Sequence, residues 1–230
     1  MRSAAVLLAI EPPVAVIWLN RPKQRNALTQ AMLTELGQAL SAIESNRTVR
    51  ALVLAGHGDS LCAGIEPKSA DIKSGEEFGS TLRSTLEKLK HLPIPSIARA
   101  QGEIRGYGVG LVAACDVAIS PLDANFCLSA KTHLVEIHAQ YDCLSDAISG
   151  RQLKRLMLTG EIFPAADAYR FGLIHDLTRP EELDGRINEE LTKLLEGEPR
   201  GHAATKHLFR VPSAKESATH ATAARVRRKS

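Results

Sequence analysis

Hydrophobic positions along the chain alternate between two spacings, which predict strands and helices in turn. Short apolar runs predict strands at residues 4–10, 14–19, 51–55, 96–100, 117–120 and 125–128. Apolar positions three and four residues apart predict a helix that begins near Thr29 and a second helix over residues 75–89, which a pair of prolines ends. This alternation predicts an α/β domain built from strand–helix units.

The pattern becomes mostly helical after Leu144. Helices are predicted at residues 152–158, 165–170, 187–196 and 200–208, with a short strand at 173–175. Residues 131–142 are interpreted as a loop. The chain has no internal repeat and no low-complexity linker, so we predict no second domain. We predict an α/β core over residues 1–198 and a C-terminal helical and tail segment over residues 199–230.

Composition places the chain among globular proteins with one sizeable core. Of its 230 residues, 44% are hydrophobic and 24% are charged. No apolar run approaches the ~18 residues of a membrane span, so we expect no membrane association. The apolar start is interpreted as a first strand rather than a signal peptide, because it is short and lacks a cleavage pattern of small residues.

The charge balance gives little reason to expect a nucleic-acid partner. Lys and Arg number 29 against 26 Asp and Glu, a net charge of +3. The basic run at residues 225–229 is interpreted as a solvated tail, with RNA contact as the alternative. The four cysteines form no CxxC pair and no zinc-ligand spacing, which indicates reduced thiols, a cytoplasmic protein and no metal site.

A glycine-rich segment between a strand and a helix carries the strongest chemical signal. The strand at residues 96–100 leads to Gly106, Gly108 and Gly110, which alternate with other residues as an apolar helix begins. A helix N-terminus without bulky side chains lets backbone N–H groups face a developing negative charge. The sequence therefore predicts an oxyanion site. A Cys-Ala-Gly turn that ends in Gly64 occupies the matching place one strand–helix unit earlier.

We call the Cys-Ala-Gly turn that ends in Gly64 and the segment from Gly106 to Gly110 the two glycine junctions. They form part of an ordered set of motifs that resembles the enoyl-CoA hydratase/isomerase (crotonase) family. The set covers residues 5–210 nearly without gaps. Its members lie at residues 19–22, 25–28, 61–66, 106–110, 114–119, 124–126, 158–161 and 168–174. The amino-acid sequences of residues 97–102, 109–113 and 126–129 are most similar to those of bacterial methylglutaconyl-CoA hydratase-like members.

The resemblance implies a crotonase (ClpP/crotonase-like) fold of ββα units in two roughly perpendicular sheets, with C-terminal helices that join subunits into a homotrimer or hexamer. It also implies an acyl-CoA partner and no prosthetic group, the CoA thioester itself being substrate or ligand. The thioester carbonyl is expected between the backbone N–H groups of Ile65 and Tyr107. The turn residues expected around it are Ala63, Gly64, Gly106 and Gly108. The C-terminal segment is shorter than is usual in the family.

Two positions depart from the hydratase pattern of the family. Family hydratases use one or two glutamates for proton transfer, and the corresponding positions here are Gly110 and Ala130. Neither side chain can move a proton. Beyond the second position, Leu134 and Ile137 replace the usual glycine and proline of the loop. Four titratable residues are candidate substitutes for the missing base, although each is also a common kind of solvated residue: Glu103, Glu136, His138 and Asp142.

Four further residues carry alternative interpretations. Tyr107 stands where the family has glycine or alanine, so it either crowds the thioester or points away into the packing. Glu66 is assigned a structural role in its turn. Arg105 contacts a substrate carboxylate or a CoA phosphate, extends to solvent, or pairs with Glu103. Asp116 is expected to form a cap or another hydrogen bond rather than to act on a substrate.

Three functional hypotheses remain open at this point. The first is an acyl-CoA-binding enzyme of the lyase class, an enoyl-CoA hydratase or isomerase that keeps the oxyanion site but lacks the usual glutamates. The second is a non-catalytic acyl-CoA-binding or regulatory homologue, which the two departures favour. The third is an assembly or RNA-associated protein on the same scaffold, which rests on the basic run alone.

Overall fold

Strands and helices alternate along the part of the chain that this computed structural model describes, residues 4–66, 75–128 and 134–209. The strands are β1 (Val6–Glu11), β2 (Val14–Leu19), β3 (Ala51–Gly56), β4 (Ser96–Arg99), β5 (Glu103–Arg105), β6 (Val117–Pro121), β7 (Asn125–Cys127), β8 (Ile162–Pro164) and β9 (Asp176–Thr178). The helices are α1 (Gln30–Ser45), α2 (Gly75–Lys90), α3 (Tyr107–Ala114), α4 (Leu134–Ala147), α5 (Gly150–Thr159), α6 (Ala165–Phe171), α7 (Leu183–Glu196) and α8 (Pro199–Leu208). The predicted α/β class is confirmed.

Two sheets hold the strands. The larger sheet has the order β1-β2-β3-β4-β6-β9, in which β1 pairs antiparallel with β2 and the other neighbours are parallel. The smaller sheet has the order β5-β7-β8, with β5 and β7 parallel and β7 and β8 antiparallel. The chain moves from the larger sheet to the smaller one twice, from β4 to β5 and from β6 to β7, with α3 between the two pairs.

Helices cover both faces of the larger sheet. All six residues of β3 are buried, as expected for a central parallel strand that is covered on both sides. On one face the strands pack with the apolar sides of α1, α2 and α3 in the main core. On the other face Val53, Ile97 and Ile119 pack against Leu183 and Ile187 of α7.

Local signals set the ends of several helices. The Thr29 hydroxyl accepts a hydrogen bond from the Met32 N–H at 3.3 Å and so caps α1. Gly160 and Gly172 end α5 and α6 in the left-handed conformation, with φ of 61° and 87°. Each of these glycines directs the chain away from its helix toward the next short strand.

Two predictions of secondary structure are wrong in detail, and two short strands have no counterpart among the predictions. The predicted loop at 131–142 contains the first part of α4, which begins at Leu134, because no glycine or proline interrupts the helix there. The strand predicted at 173–175 lies at β9 instead, since Leu173 and Ile174 pack in the core before the chain reaches the sheet. Strands β5 and β8 were not predicted because three residues are too few to show an alternating pattern.

The C-terminal helices add no membrane-crossing element. None of the helices within residues 4–66, 75–128 and 134–209 has the length and apolar character that crossing a bilayer requires.

Helix α8 begins at Pro199, where the predicted C-terminal segment begins. The division into a core and a C-terminal segment stays a prediction.

The small core under α7 gives a prediction about stability. We expect Ile187→Ala to lower the free energy of unfolding by about 2–4 kcal/mol, because Ile187 is 4% exposed and the cavity cannot close fully. Asn188→Ala, at the exposed neighbouring position on the same helix, is the control and should change it by less than about 0.5 kcal/mol. Urea unfolding followed by circular dichroism measures both. Equal effects of the two substitutions would contradict the packing of α7 on the sheet.

Candidate functional site

The two glycine junctions lie against each other. The Arg105 N–H donates to the Cys62 carbonyl oxygen at 3.0 Å, which joins the end of β5 to the Cys-Ala-Gly turn. A Cβ on Gly108 would lie 2.3 Å from that same carbonyl oxygen. Gly64 adopts φ 95°, and a Cβ there would lie 3.1 Å from the Arg105 carbonyl oxygen. The close approach of the two junctions therefore requires glycine at both positions.

The direction of the Ile65 N–H follows from the hydrogen bonds of its neighbours. The Gly64 carbonyl oxygen accepts from the Leu28 N–H at 2.8 Å, and the Glu66 N–H donates to the Leu28 carbonyl oxygen at 2.9 Å. Since the C=O and N–H of a trans peptide point in opposite directions, the Ile65 N–H points away from Leu28. Among the described residues this N–H has no backbone acceptor.

The start of α3 orients the Tyr107 N–H in the same way. Gly106 adopts φ 49° and ψ −118°, a conformation that favours glycine, and its carbonyl oxygen accepts from the Val109 N–H at 3.0 Å. That carbonyl points along the helix, so the Tyr107 N–H points out of the helix N-terminus. The positive end of the helix dipole lies there, which is the side of α3 that meets the Cys-Ala-Gly turn.

The Tyr107 side chain packs away from this junction. It is fully buried, and its hydroxyl donates to the Leu82 carbonyl oxygen of α2 at 2.5 Å. Of the two interpretations that the sequence leaves open, the one in which the ring points into the packing is correct. The ring therefore ties α3 to α2, and only the backbone of this residue belongs to the junction.

A buried asparagine holds the loop before α1 close to the Cys-Ala-Gly turn. Asn26 is fully buried with φ 56°, a left-handed conformation in which asparagine is enriched. Its Nδ2 donates to the carbonyl oxygens of His57 and Ser60 at 3.0 and 2.7 Å, and its Oδ1 accepts from the Arg21 N–H at 2.7 Å. Asn26 belongs to one of the sequence motifs, but the sequence gives no sign of these hydrogen bonds.

Glu66 has the structural role that the sequence suggested. Its carboxylate forms an ion pair with the Arg21 guanidinium at 3.4 Å. The same guanidinium donates to the Ala27 carbonyl oxygen at 2.8 Å. Both contacts fix the loop that carries Leu28, and Leu28 in turn sets the direction of the Gly64–Ile65 peptide.

Glu103 and Arg105 pair with each other at the edge of the site. The Arg105 guanidinium lies 3.3 Å from the Glu103 carboxylate, and Arg25 forms a second ion pair with it. The hydrogen bond from Arg105 and the charges of both arginines lower the pKa of Glu103 below its usual value. A carboxylate held ionised in this way is a weaker base, so pairing is the role that the structure gives to both residues.

Gly110, the first position of a family glutamate, faces the side chain of Gln140. A Cβ on Gly110 would lie 2.9 Å from the Gln140 Cβ and 3.4 Å from the Leu86 Cδ1. Gln140 itself is 2% exposed. A glutamate at position 110 therefore could not be accommodated without displacing α4. The sequence alone does not reveal this contact between Gly110 and Gln140.

Of the remaining positions predicted for proton transfer, three have side chains outside the described residues. Ala130, the second position of a family glutamate, lies outside the described residues. Glu136 and His138 belong to α4, but their side chains also lie outside the described part. Asp142 is exposed on the same helix. No described contact of Asp142 with the two glycine junctions supports a role as a general base.

Asp116 forms hydrogen bonds at the opposite end of α3. Its Oδ2 accepts from the backbone N–H and the hydroxyl of Ser96, both at 2.8 Å, and from the Lys206 ammonium at 2.5 Å. This confirms the expected hydrogen-bonding role. A cavity of about 620 Å³ opens beside it, where Lys90 is paired with Asp146. The cavity lies at the C-terminal end of α3, away from the two glycine junctions.

The cysteines behave as core residues. All four are buried and none forms a disulfide. Burial raises the pKa of the Cys143 thiol to about 11 and also raises the pKa of Cys115 and Cys127, so these three thiols are not activated nucleophiles at neutral pH. Within the described residues no three His, Cys, Asp or Glu side chains are grouped in a way that could hold a metal ion.

The hydrogen bonds of Asn26 give a second prediction. Asn26→Ala leaves one buried and one partly buried carbonyl oxygen without their donor and places alanine at a positive φ, so we expect the free energy of unfolding to fall by about 3 kcal/mol. Asn125→Ala, which removes only an exposed hydrogen bond to the Asp123 carbonyl oxygen, is the control, with an expected loss below about 1 kcal/mol. Chemical unfolding measures both, and a loss below about 1 kcal/mol for Asn26→Ala would contradict its role.

The pKa of Glu103 gives a third prediction. Because this pKa is lowered in the folded chain, the ion pairs stabilise the fold above the unfolded value of 4.5, and the stabilisation is lost as the pH falls through the folded value. Glu103→Gln should therefore show a smaller loss of stability than the original chain between about pH 5 and pH 3. Unfolding midpoints measured at several pH values test this, and parallel curves for the two proteins would contradict it.

Comparisons with known proteins agree with this architecture. The profile of the enoyl-CoA hydratase/isomerase family matches residues 9–228. Short-chain-enoyl-CoA hydratase of Clostridium acetobutylicum is 30% identical over 199 residues, which cover 84% of this chain and 76% of that protein. The crystal structure of enoyl-CoA hydratase from Mycobacterium smegmatis superposes with a TM-score of 0.85 at 29% identity, covering 96% of this chain and 89% of that one. The predicted crotonase fold is thereby confirmed.

The subgroup is less distinct than the family. Mitochondrial methylglutaconyl-CoA hydratase of Mus musculus is 29% identical over 199 residues, which cover 84% of this chain and 63% of that protein. This identity does not separate it from the other hydratases, so the methylglutaconyl-CoA assignment stays a prediction. The profile match, the identities and the shared fold all lead to one conclusion: the chain belongs to the enoyl-CoA hydratase/isomerase family.

Proposed function

We propose that the chain binds an acyl-CoA thioester at the two glycine junctions, with the thioester carbonyl oxygen between the N–H groups of Ile65 and Tyr107. The observation that carries the proposal is the contact between the junctions, in which the Arg105 N–H binds the Cys62 carbonyl oxygen. Ala63, Gly64, Gly106 and Gly108 form the backbone around the ligand. The relatives named as enoyl-CoA hydratases support the same ligand class.

This arrangement supplies the electrostatic part of hydratase chemistry. Attack on the conjugated double bond of an enoyl thioester places negative charge on the carbonyl oxygen, and two converging N–H donors stabilise it. The helix N-terminus at Tyr107 adds the positive end of its dipole. Loss of one such donor typically lowers the rate by about 10²–10³. A backbone donor does not depend on its own side chain, so Ile65 and Tyr107 can both serve.

The proposed site supplies the proton-transfer part of hydratase chemistry only incompletely. Hydration needs a group that takes a proton from water and returns one to the acyl chain, and neither Gly110 nor Ala130 can do so. We therefore propose an acyl-CoA-binding member of the lyase class with low hydratase activity. No prosthetic group is part of the proposal.

A non-catalytic acyl-CoA-binding or regulatory protein is the second candidate. The close contact of Gly110 with Gln140 favours it, because the place of a catalytic carboxylate is filled by a side chain that does not ionise. The lowered pKa of Glu103 favours it as well, since that carboxylate is a poor substitute base. The two candidates share the ligand and differ only in turnover.

We further propose a homotrimeric or hexameric assembly in the cytoplasm. Three large apolar side chains in the consecutive elements α5, β8 and α6 support an interface, since Leu158, Ile162 and Tyr169 are each more than half exposed. The four buried cysteines, none of which forms a disulfide, suit a reducing compartment. Light scattering after size-exclusion chromatography tests the assembly, and a monomer at micromolar concentration would exclude it.

Glycine substitutions test the thioester site directly. Gly108→Ala suits a helix but brings a Cβ to 2.3 Å from the Cys62 carbonyl oxygen, so it should force the junctions apart and weaken butyryl-CoA binding at least about tenfold. Gly37→Ala is the matched control, since Gly37 lies within α1 and its Cβ would meet nothing within 4 Å. Titration calorimetry with butyryl-CoA and with free CoA measures both. Failure of the original chain to bind any thioester would exclude the proposed function.

Restoring a carboxylate tests whether the oxyanion site still works. Ala130→Glu places a base at the second position of a family glutamate, and we expect detectable hydration of crotonyl-CoA above the rate of the original chain. Loss of the ultraviolet absorbance of the conjugated thioester measures the reaction. If thioesters bind but the variant shows no gain, the non-catalytic candidate is favoured.

A further inference from the structure

Helix α8 lies against the rest of the chain without burying an apolar face. None of its ten residues from Pro199 to Leu208 is buried, and among the described residues neither hydrophobic core contains one of them. Leu208 and the following Phe209 are 74% and 80% exposed. A helix of this length is marginal by itself, because most helical stability in proteins comes from the packing of an apolar face. Polar contacts therefore have to hold α8 in place.

One lysine fastens α8 to the core. The Lys206 ammonium donates to the Ile94 carbonyl oxygen at 3.1 Å and to the Asp116 Oδ2 at 2.5 Å, and its side chain is 11% exposed. Asp116 is itself held by Ser96, and it follows the end of α3, where the negative end of the helix dipole lies. A carboxylate fixed in this place is stabilised by the ammonium, so the contact acts as a latch for α8.

The chain before α8 is fastened separately. The Arg50 guanidinium donates from Nη2 to the carbonyl oxygens of Leu195 and Gly197 at 2.8 and 2.6 Å, which holds the end of α7 in place. Pro199, the first residue of α8, has no N–H that could bind the preceding chain. Because Arg50 holds the end of α7 and not α8, residues 197–199 are the place where α8 can turn while α7 stays fixed.

A cavity separates part of α8 from the core beside the latch. The cavity of about 620 Å³ is lined by Thr205 and Phe209 on one side and by Ala113 and Cys115 on the other. Moving the two sides apart therefore gives up little apolar contact. Elements with few buried apolar contacts open locally at a lower free energy than unfolding of the whole domain requires. Cys115 is only 7% exposed while α8 is in place.

We propose that α8 is a strap that opens as a unit about residues 197–199, with the contact between Lys206 and Asp116 as its latch. The closed strap is held against the C-terminal end of α3, and the open strap exposes the cavity and the Cys115 thiol to solvent. The rest of the fold, α7 included, stays intact when the strap opens. This conformational device is independent of the proposed thioester site, which lies at the other end of α3.

Thiol labelling of the full chain tests the strap, with Cys62 as a reference in the same molecule. Cys62 is fully buried at the glycine junctions, so N-ethylmaleimide reaches it only when the core unfolds. We expect Cys115 to be labelled at least about a thousandfold faster, because opening the strap breaks few contacts. Its rate should also rise less steeply with urea, since opening exposes less surface than unfolding. Peptide mass spectrometry measures both rates, and equal rates with equal urea dependence would overturn the proposal.

A substitution in the small core under α7 separates opening from unfolding. Ile187→Ala destabilises the closed and open forms alike, because α7 keeps its packing when the strap opens. It should therefore raise the labelling rate of Cys62 at least about thirtyfold and leave that of Cys115 nearly unchanged. Equal acceleration of both thiols would show that Cys115 is reached only through unfolding, and would overturn the proposal.

A matched pair of lysine substitutions tests the latch. Lys206→Met removes the ammonium and should raise the labelling rate of Cys115 about tenfold, as the loss of a charge-assisted hydrogen bond allows. Lys193→Met on α7 is the control, because Lys193 is exposed and pairs only with Glu190 among the described residues. It should leave the rate unchanged. A Cys115 rate that Lys206→Met does not alter would mean that the reagent enters without opening the latch, and would overturn the proposal.

Discussion

The hydrogen bond from the Arg105 N–H to the Cys62 carbonyl oxygen is the contact on which the arrangement of the site depends. It joins two strand–helix connections from consecutive units of the fold, and the glycines on either side allow the backbones to meet. The directions of the Ile65 and Tyr107 N–H groups then follow from the hydrogen bonds that the Gly64 and Gly106 carbonyl oxygens accept, because the C=O and N–H of each peptide point in opposite directions. The oxyanion site proposed here is thus a consequence of how two turns pack, and no ionisable side chain takes part in it.

That contact is supported by polar side chains whose hydrogen-bond partners lie outside the two glycine junctions. Asn26 ties the loop before α1 to the carbonyl oxygens that precede the Cys-Ala-Gly turn, and Glu66 holds the same loop through Arg21. Tyr107 anchors the start of α3 to α2 through the Leu82 carbonyl oxygen. Such buried hydrogen bonds add modest net stability when made but are costly to break. Their effect is to keep the two N–H groups in one orientation before a ligand binds.

The sequence predicts most of the fold and only part of the site. Long periodic elements such as α1 and β3 are visible because their apolar spacing is sustained, whereas β5 and β8 are too short to produce a pattern. The glycines of both junctions are visible as residues. The contact between Gly110 and Gln140 is not, because it joins two helices that are distant in sequence and depends on how α4 packs. The role of Asn26 is hidden for the same reason, since the carbonyl oxygens that its Nδ2 binds lie more than thirty positions further along the chain.

Oxyanion stabilisation and proton transfer, the electrostatic half and the proton-transfer half of hydratase chemistry, differ in how they depend on side chains. The electrostatic half uses backbone N–H groups, which any residue supplies provided that the turn keeps its conformation, so isoleucine and tyrosine can stand at the donor positions. The proton-transfer half needs carboxylates with a suitable pKa at fixed places, and a single substitution removes each of them. A chain under selection for thioester binding alone would therefore retain its glycines and lose its glutamates. Gly110 packed against Gln140 is consistent with binding alone, because α4 fills the space that a carboxylate at position 110 would need.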